Sequence, residues 1–224
     1  MTGNTLVVSD IHLGSPSCKH KTLTKILKEE DYNHLIINGD LLDSPNIGRF
    51  NKHHWNVLGL IRKISKTKEV TFVIGNHDEK SEGLAHILGL EYVDSYAAVF
   101  GKKKYLFMHF QQFDPFLYIH PYFCHFVEQI YYFIQTLDSS KRFARWIKRS
   151  SKSFMKTRDN IRTKALKHIK DTDYDGIFGG HIHYAETYIC PETGKGYYNS
   201  GSFCDVPCHY LVIDSVGGVT LKEL

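Results

Sequence analysis

The residues of this sequence best equipped for chemistry fall where apolar runs stop. Leu6-Val7-Val8-Ser9 breaks into Asp10-Ile11-His12, Leu35-Ile36-Ile37-Asn38 into Gly39-Asp40, and Val70-Thr71-Phe72-Val73-Ile74 into Gly75-Asn76-His77-Asp78. Tyr105-Leu106-Phe107-Met108 delivers His109, and Ile177-Phe178-Gly179-Gly180 delivers His181-Ile182-His183. Asp10 and His12, like His181 and His183, are two positions apart, the spacing that keeps side chains on one face of extended backbone. Asp10, His12, Asp40, Asn76, His109, His181 and His183 are more ligand types than one ion needs. Two ions fit better, with a carboxylate bridging them at roughly 3.5–4 Å. Mixed imidazole, carboxylate and amide donors suit manganese first, with iron, zinc or nickel as alternatives, over calcium or magnesium. Such a pair acidifies a bound water and neutralises phosphate oxygens.

To bring these positions together the chain must alternate strands and helices. Leu23 to Leu27 and on to Glu30 reads as a helix, and Trp55, Leu58, Ile61 and Ile64 mark another over 50–66. Strands separated by helices predict parallel pairing, which gathers polar residues at the carboxyl ends of the strands. Ala97–Phe100 and Lys104–Met108 predict a hairpin turning at Gly101-Lys102. The closing segments Glu186–Ile189, Gly196–Asn199, His209–Ile213 and Val219–Lys222 are expected to form an antiparallel meander, much of a second sheet. The expected architecture is α/β, a four-layer αββα sandwich. At 224 residues and 42% hydrophobic content, a single domain over 1–224 is expected.

Five scattered cysteines predict reduced thiols rather than a disulfide framework. No run approaches the apolar length of a membrane span, and the start of the chain lacks the blocks of a signal peptide, so a cytoplasmic location is expected. The net charge of +4 hides a basic block: 139–170 holds twelve Lys or Arg against one acid, Asp159. This block lies within a helical insertion at about 114–170, whose first part, 116–137, is rich in Phe and Tyr. Two readings fit that insertion: a helical hairpin packed against the sandwich, or a cap that binds acyl chains or touches the inner face of a membrane.

Asp10-x-His12, Gly39-Asp40, Gly75-Asn76-His77-Asp78, His109 and Gly180-His181-x-His183 occur in an order that resembles the calcineurin-like metallophosphoesterase superfamily. The resemblance implies that Asp10, His12, Asp40 and His183 hold one divalent ion and Asp40, Asn76, His109 and His181 a second, with Asp40 as the bridge. It implies a catalytic role for His77, as general acid or phosphate stabiliser, with Asp78 orienting its imidazole. The insertion and the stretch Tyr198 to Cys204 are similar to UDP-2,3-diacylglucosamine diphosphatases, in which the insertion is a lid over acyl chains. A phosphorylated small-molecule or lipid-linked substrate is then expected, with Arg158 and Arg162, one helical turn apart, as phosphate contacts and no obligate protein partner. Two positions depart from those enzymes: Phe110 follows His109, and His77 stands where they often carry arginine. Phe110 is expected to alter the substrate pocket. The alternative enzyme is a soluble nucleotide or nucleic-acid phosphodiesterase using the basic block; a scaffold without chemistry would have lost ligands, and none is missing.

Overall fold

The computed structural model describes residues 3–114 and 152–224. The first half alternates as the sequence predicts: β1 (Thr5–Val8), α1 (His20–Glu29), β2 (His34–Asn38), α2 (Lys52–Ile64), β3 (Glu69–Val73), α3 (Glu82–Leu88) and a short β4 (Glu91–Val93) that the sequence reading missed. Then follow β5 (Tyr96–Phe100), β6 (Lys103–Phe107), α4 (Lys152–Ile169), β7 (Gly176–Gly179), β8 (Glu186–Ile189), β9 (Gly196–Asn199), β10 (His209–Ile213) and β11 (Val219–Glu223). One sheet runs β11-β10-β1-β2-β3-β4 and the other β5-β6-β7-β9-β8.

Period-two alternation sets the layers. Val7, Ile36, Phe107, Phe178 and Tyr198 point between the sheets, where they pack with Val73, Phe100, Tyr105, Leu211 and Ile213. Their neighbours Leu6, Val8, Leu35 and Ile37 point the other way, onto Leu23, Leu27, Leu58 and Ile61 of α1 and α2. Leu106, Ile177 and Tyr197 face α4, whose Ile161, Ala165 and Ile169 recur every fourth residue along one buried stripe. Each fully buried aliphatic or aromatic side chain contributes roughly 1.5–3 kcal/mol. The result is helices, sheet, sheet, helix, the αββα order expected.

The closing meander is a correction. β8 and β9 pair antiparallel in the second sheet, but β10 joins the first sheet, antiparallel to β1 with Leu6 opposite Val212, and β11 follows it. Between them the chain crosses over, its Ser200 amide bonding Gly179 O (3.1 Å) and its Phe203 amide bonding Asp10 O (3.0 Å). Inward-facing residues look alike on both sheets, so periodicity alone does not assign these strands.

α4 carries the second half of the expected insertion, and its buried stripe packs it on the sandwich. The aromatic stretch 116–137 and the basic residues 141–149 lie outside the described residues. Phe110 is also placed differently from expectation. Its backbone is left-handed (φ 85°), and its buried ring stacks on Tyr197 (5.2 Å, 16°) in the space left by the missing side chain of Gly179. It therefore fills the core under α4 instead of narrowing a substrate pocket.

Candidate metal centre

β1, β2 and β3 run parallel, and so do β6 and β7, so their carboxyl ends deliver Asp10, Asp40, Asn76, His109 and His181 to one edge of the sandwich. The last step is made by turns, not by alternation. β1 ends at Val8, and Asp10 (φ 50°), His12 (50°), Asp40 (53°), His181 (70°) and His183 (53°) all adopt left-handed backbone. Non-glycine residues pay about 1–3 kcal/mol each for such conformations, a cost found where structure is bent to function. Backbone bonds hold the turns in place: Asp10 N to Gly39 O (3.1 Å), and Ile11 N and His12 N to Asp40 O (2.9 and 3.0 Å). Two glycines leave room for the carboxylates, because a Cβ on Gly75 would collide with Asp40 and one on Gly180 with Asp10.

All seven expected ligand residues converge. His183 Nε2 lies 3.2 Å from Asp10 Oδ1 and 3.1 Å from His12 Nε2, which is 3.6 Å from Asp40 Oδ2. On the other side His109 Nε2 lies 3.1 Å from Asp40 Oδ2, and His181 Nδ1 lies 3.1 Å from Asn76 Oδ1. Ligand atoms gather in overlapping groups: Asp10, His12 and His183; Asp10, Asp40 and His109; and His12, Asp40 and His77.

The donors fit a divalent cation. His109 Nδ1 lies 2.8 Å from Asn38 O, which must accept, so this nitrogen carries the proton and Nε2 turns to the centre. There Nε2 is buried and makes no hydrogen bond, its approach to Asp40 being off the line of one. Asp10 and Asp40 are buried, and among the described residues no Lys or Arg pairs with either. The side chains that can carry a positive charge beside them are imidazoles, and the Ser9 hydroxyl and the amides of His77 and His181 donate to the same carboxylates. Burial would raise Asp10, but His183 and His109 outweigh it and bring it down to about 2. Burial drives His12 down to about 3, whereas Asp40 and Asp10 overcome the same burial at His109 and lift it to about 10. Nitrogen and oxygen donors facing one another around two buried carboxylates suit a metal ion.

His77 sits against this cluster, its ring edge-on to His12 (4.9 Å) and its amide bonded to Asp40 Oδ1 (3.0 Å). Its Nδ1 is anchored by the carbonyl of Asp43 (2.8 Å). The orienting role expected of Asp78 is therefore filled by that carbonyl. The buried Asp78 carboxylate instead accepts the amides of Leu41 (3.3 Å), Leu42 (3.0 Å) and Gly75 (3.1 Å), clamping the Asp40 turn to the Asn76 turn. Burial and the nearby charge of Asp40 raise it to about 7.

Sequence reasoning missed Asp43, whose carboxylate is 3.6 Å from His12 Nδ1 and 2.7 Å from Arg49, and Asp114, 3.0 Å from His181 Nε2. It also missed Ser9, whose hydroxyl donates to Asp10 Oδ2 (2.6 Å). Adjacency to Asp10 and the Asp40-x-x-Asp43 spacing were the available signals; Asp114 had none. Arg158 and Arg162 lie on α4 with acidic neighbours. Both bond Asp159 (2.7 and 3.0 Å), Arg162 also bonds Glu186, and their guanidinium groups cover the rings of Tyr184 (5.0 Å) and Tyr188 (4.6 Å).

The solved structures similar to this one include an archaeal phosphodiesterase (14% identity, TM-score 0.56, covering 99% of each chain). Vps29 from Cryptosporidium parvum matches at 14% identity and TM-score 0.52, over 100% of this chain and 99% of the other. YfcE, a phosphoesterase from E. coli, matches at 15% and 0.50, over 99% and 98%. At these identities the likeness is one of fold. No curated protein matches the sequence. Residues 3–185 match the family described as calcineurin-like phosphoesterase. The family implies divalent metal ions, and the chain carries side-chain groups able to hold one. The chain belongs to the calcineurin-like phosphoesterase family and is a metal-dependent hydrolase acting on phosphoester bonds.

Proposed function

We propose that the protein uses two divalent ions, manganese first among them, to hydrolyse a phosphodiester or pyrophosphate bond. Asp10, His12, Asp40 and His183 would hold one ion and Asp40, Asn76, His109 and His181 the other. The observation that carries this reading is the position of Asp40, whose Oδ2 faces His12 Nε2 (3.6 Å) on one side and His109 Nε2 (3.1 Å) on the other. The ions supply Lewis acidity, activating water and neutralising phosphate charge.

The chain's own residues do the rest. Buried carboxylates and imidazoles fix the ligand positions in advance, which removes reorganisation from the reaction. His77, held by the Asp43 carbonyl through Nδ1, turns Nε2 to the centre; protonated there, it can donate to a phosphate oxygen or a departing alkoxide. Arg158 and Arg162 are proposed to contact the substrate. Their support is Tyr184, which Arg158 covers and which directly follows His183. UDP-2,3-diacylglucosamine or a related nucleotide-linked lipid is the substrate favoured by the sequence resemblance, with peripheral membrane contact through 116–137 as its corollary. Nucleotides and nucleic acid form the competing arm.

The test is a substrate panel with manganese-loaded protein: bis-p-nitrophenyl phosphate, a UDP-linked lipid, nucleotides and single-stranded nucleic acid. Turnover of the diester probe and of one natural class is expected. Two bound ions with no turnover of any of them would overturn the hydrolytic reading. Asp40→Asn is expected to lose metal and activity together, and an unchanged rate would exclude the shared carboxylate.

A further inference from the structure

His181 uses both ring nitrogens. Nδ1 lies 3.1 Å from Asn76 Oδ1, and Nε2 lies 3.0 Å from Asp114 Oδ2. A carboxylate only accepts, so in the neutral ring the shared proton belongs to Nε2, and Nδ1 is left with a lone pair aimed at the centre. The other group pointing there, the Asn76 carbonyl oxygen, is also an acceptor. Nδ1 and Oδ1 lie 3.1 Å apart, so in this tautomer they present two lone pairs that one cation can share.

The structure around Asp114 is built to hold it. Asp114 caps a one-turn 3-10 helix (Gln111–Phe113) that begins two residues after His109, its amide bonding Gln111 O (3.1 Å). That turn is fixed from outside by α4, where Lys164 Nζ donates to Phe113 O (3.1 Å) and His168 packs on the Phe113 ring (5.5 Å). The Asp114 side chain is only 13% exposed, so its contact with His181 is little competed by water.

We propose that Asp114 is a positioning residue for the second ion: it selects the Nε2–H tautomer of His181, locks the ring, and leaves Nδ1 as the ligand atom. The inference rests on the two-ion reading above. It predicts that the distal side of the centre is tuned by a carboxylate far along the chain, as ligating histidines generally are by partners on their other nitrogen.

The experiment has a metal-free arm and a metal arm, both on the full chain. In the metal-free arm, long-range 15N–1H NMR of histidine-labelled, chelator-treated protein at mildly alkaline pH reads the tautomer of His181, its signal assigned with His181→Gln. Wild type is expected as Nε2–H and Asp114→Ala as a mixture with Nδ1–H. Nδ1–H in the wild type, or an unchanged spectrum in the variant, overturns the proposal. In the metal arm, calorimetry with manganese is expected to show one wild-type-like ion in Asp114→Ala and a second weakened about 10–100-fold, with Asp114→Asn in between because it still accepts the Nε2–H bond. Unchanged affinity for both ions overturns the role of Asp114 alone. A wild-type protein that saturates with one ion overturns the two-ion reading, and the tautomer result then stands or falls on the NMR.

Discussion

His77 is tied to the centre twice before its ring does any chemistry, through its amide to Asp40 Oδ1 and through Nδ1 to the Asp43 carbonyl. A group held this way is placed for proton transfer, and His77→Asn is expected to lower kcat by about 10²–10⁴ while both ions stay bound. Loss of an ion in that variant, measured by elemental analysis, would instead make His77 a ligand, a role its grouping with His12 and Asp40 allows. At this scale the sequence was most informative. Each of Asp10, His12, Asp40, Asn76, His109, His181 and His183 stands just past an apolar run, and all of them meet. Asp43 offered only its spacing from Asp40 and Asp114 no signal at all, because their contacts with His12, His77 and His181 are made by loop geometry. Asp78 was legible as part of the motif, but its work for three backbone amides was not.

Elements were legible wherever periodicity had one outcome. α1, α2, β1, β2 and β3 follow from helical spacing or from short apolar runs, whereas β10 and β11 went to the opposite sheet because inward alternation fits either. What decides their place is tertiary, and part of it can be tested. Glu30, at the carboxyl end of α1, bonds Lys222 of β11 (2.8 and 3.1 Å) and the Tyr210 hydroxyl of β10 (2.5 Å). Burial opposes ionisation of Glu30, but these partners outweigh it and hold its pKa below the ordinary value. A carboxylate depressed in the folded state stabilises above its unfolded pKa, and the gain is lost as pH falls through the folded value. Glu30→Gln is therefore expected to cost about 1 kcal/mol near neutrality. In acid below the folded value the two proteins should denature alike; a gap that persists there would assign the effect to packing.

At the scale of the whole molecule, the centre joins residues from position 10 to position 183 and lies at the carboxyl ends of strands from both sheets. A ligand that binds only the folded arrangement stabilises it by mass action, about 2.7 kcal/mol at a hundredfold excess over Kd. For a chain of this length, chelation is expected to lower Tm on the order of 5–10 °C, reversibly on adding manganese. A chelated protein that melts unchanged would mean the centre is organised without the ions. The fold class was legible because strand, helix and ligand positions agreed with one another; the partition of strands between sheets was not, because it depends on the crossover at Ser200 to Phe203. Among the described residues no helix is long and apolar enough to cross a membrane.

The amides of His77 and His181 donate to Asp40 Oδ1 and to both oxygens of Asp10 (3.0, 3.1 and 3.1 Å). Both carboxylates belong to the proposed ligand set, so these two N–H groups are built-in reporters. Their exchange with deuterated solvent should slow when the centre fills and quicken when it empties, giving an occupancy gauge that needs no substrate to be known.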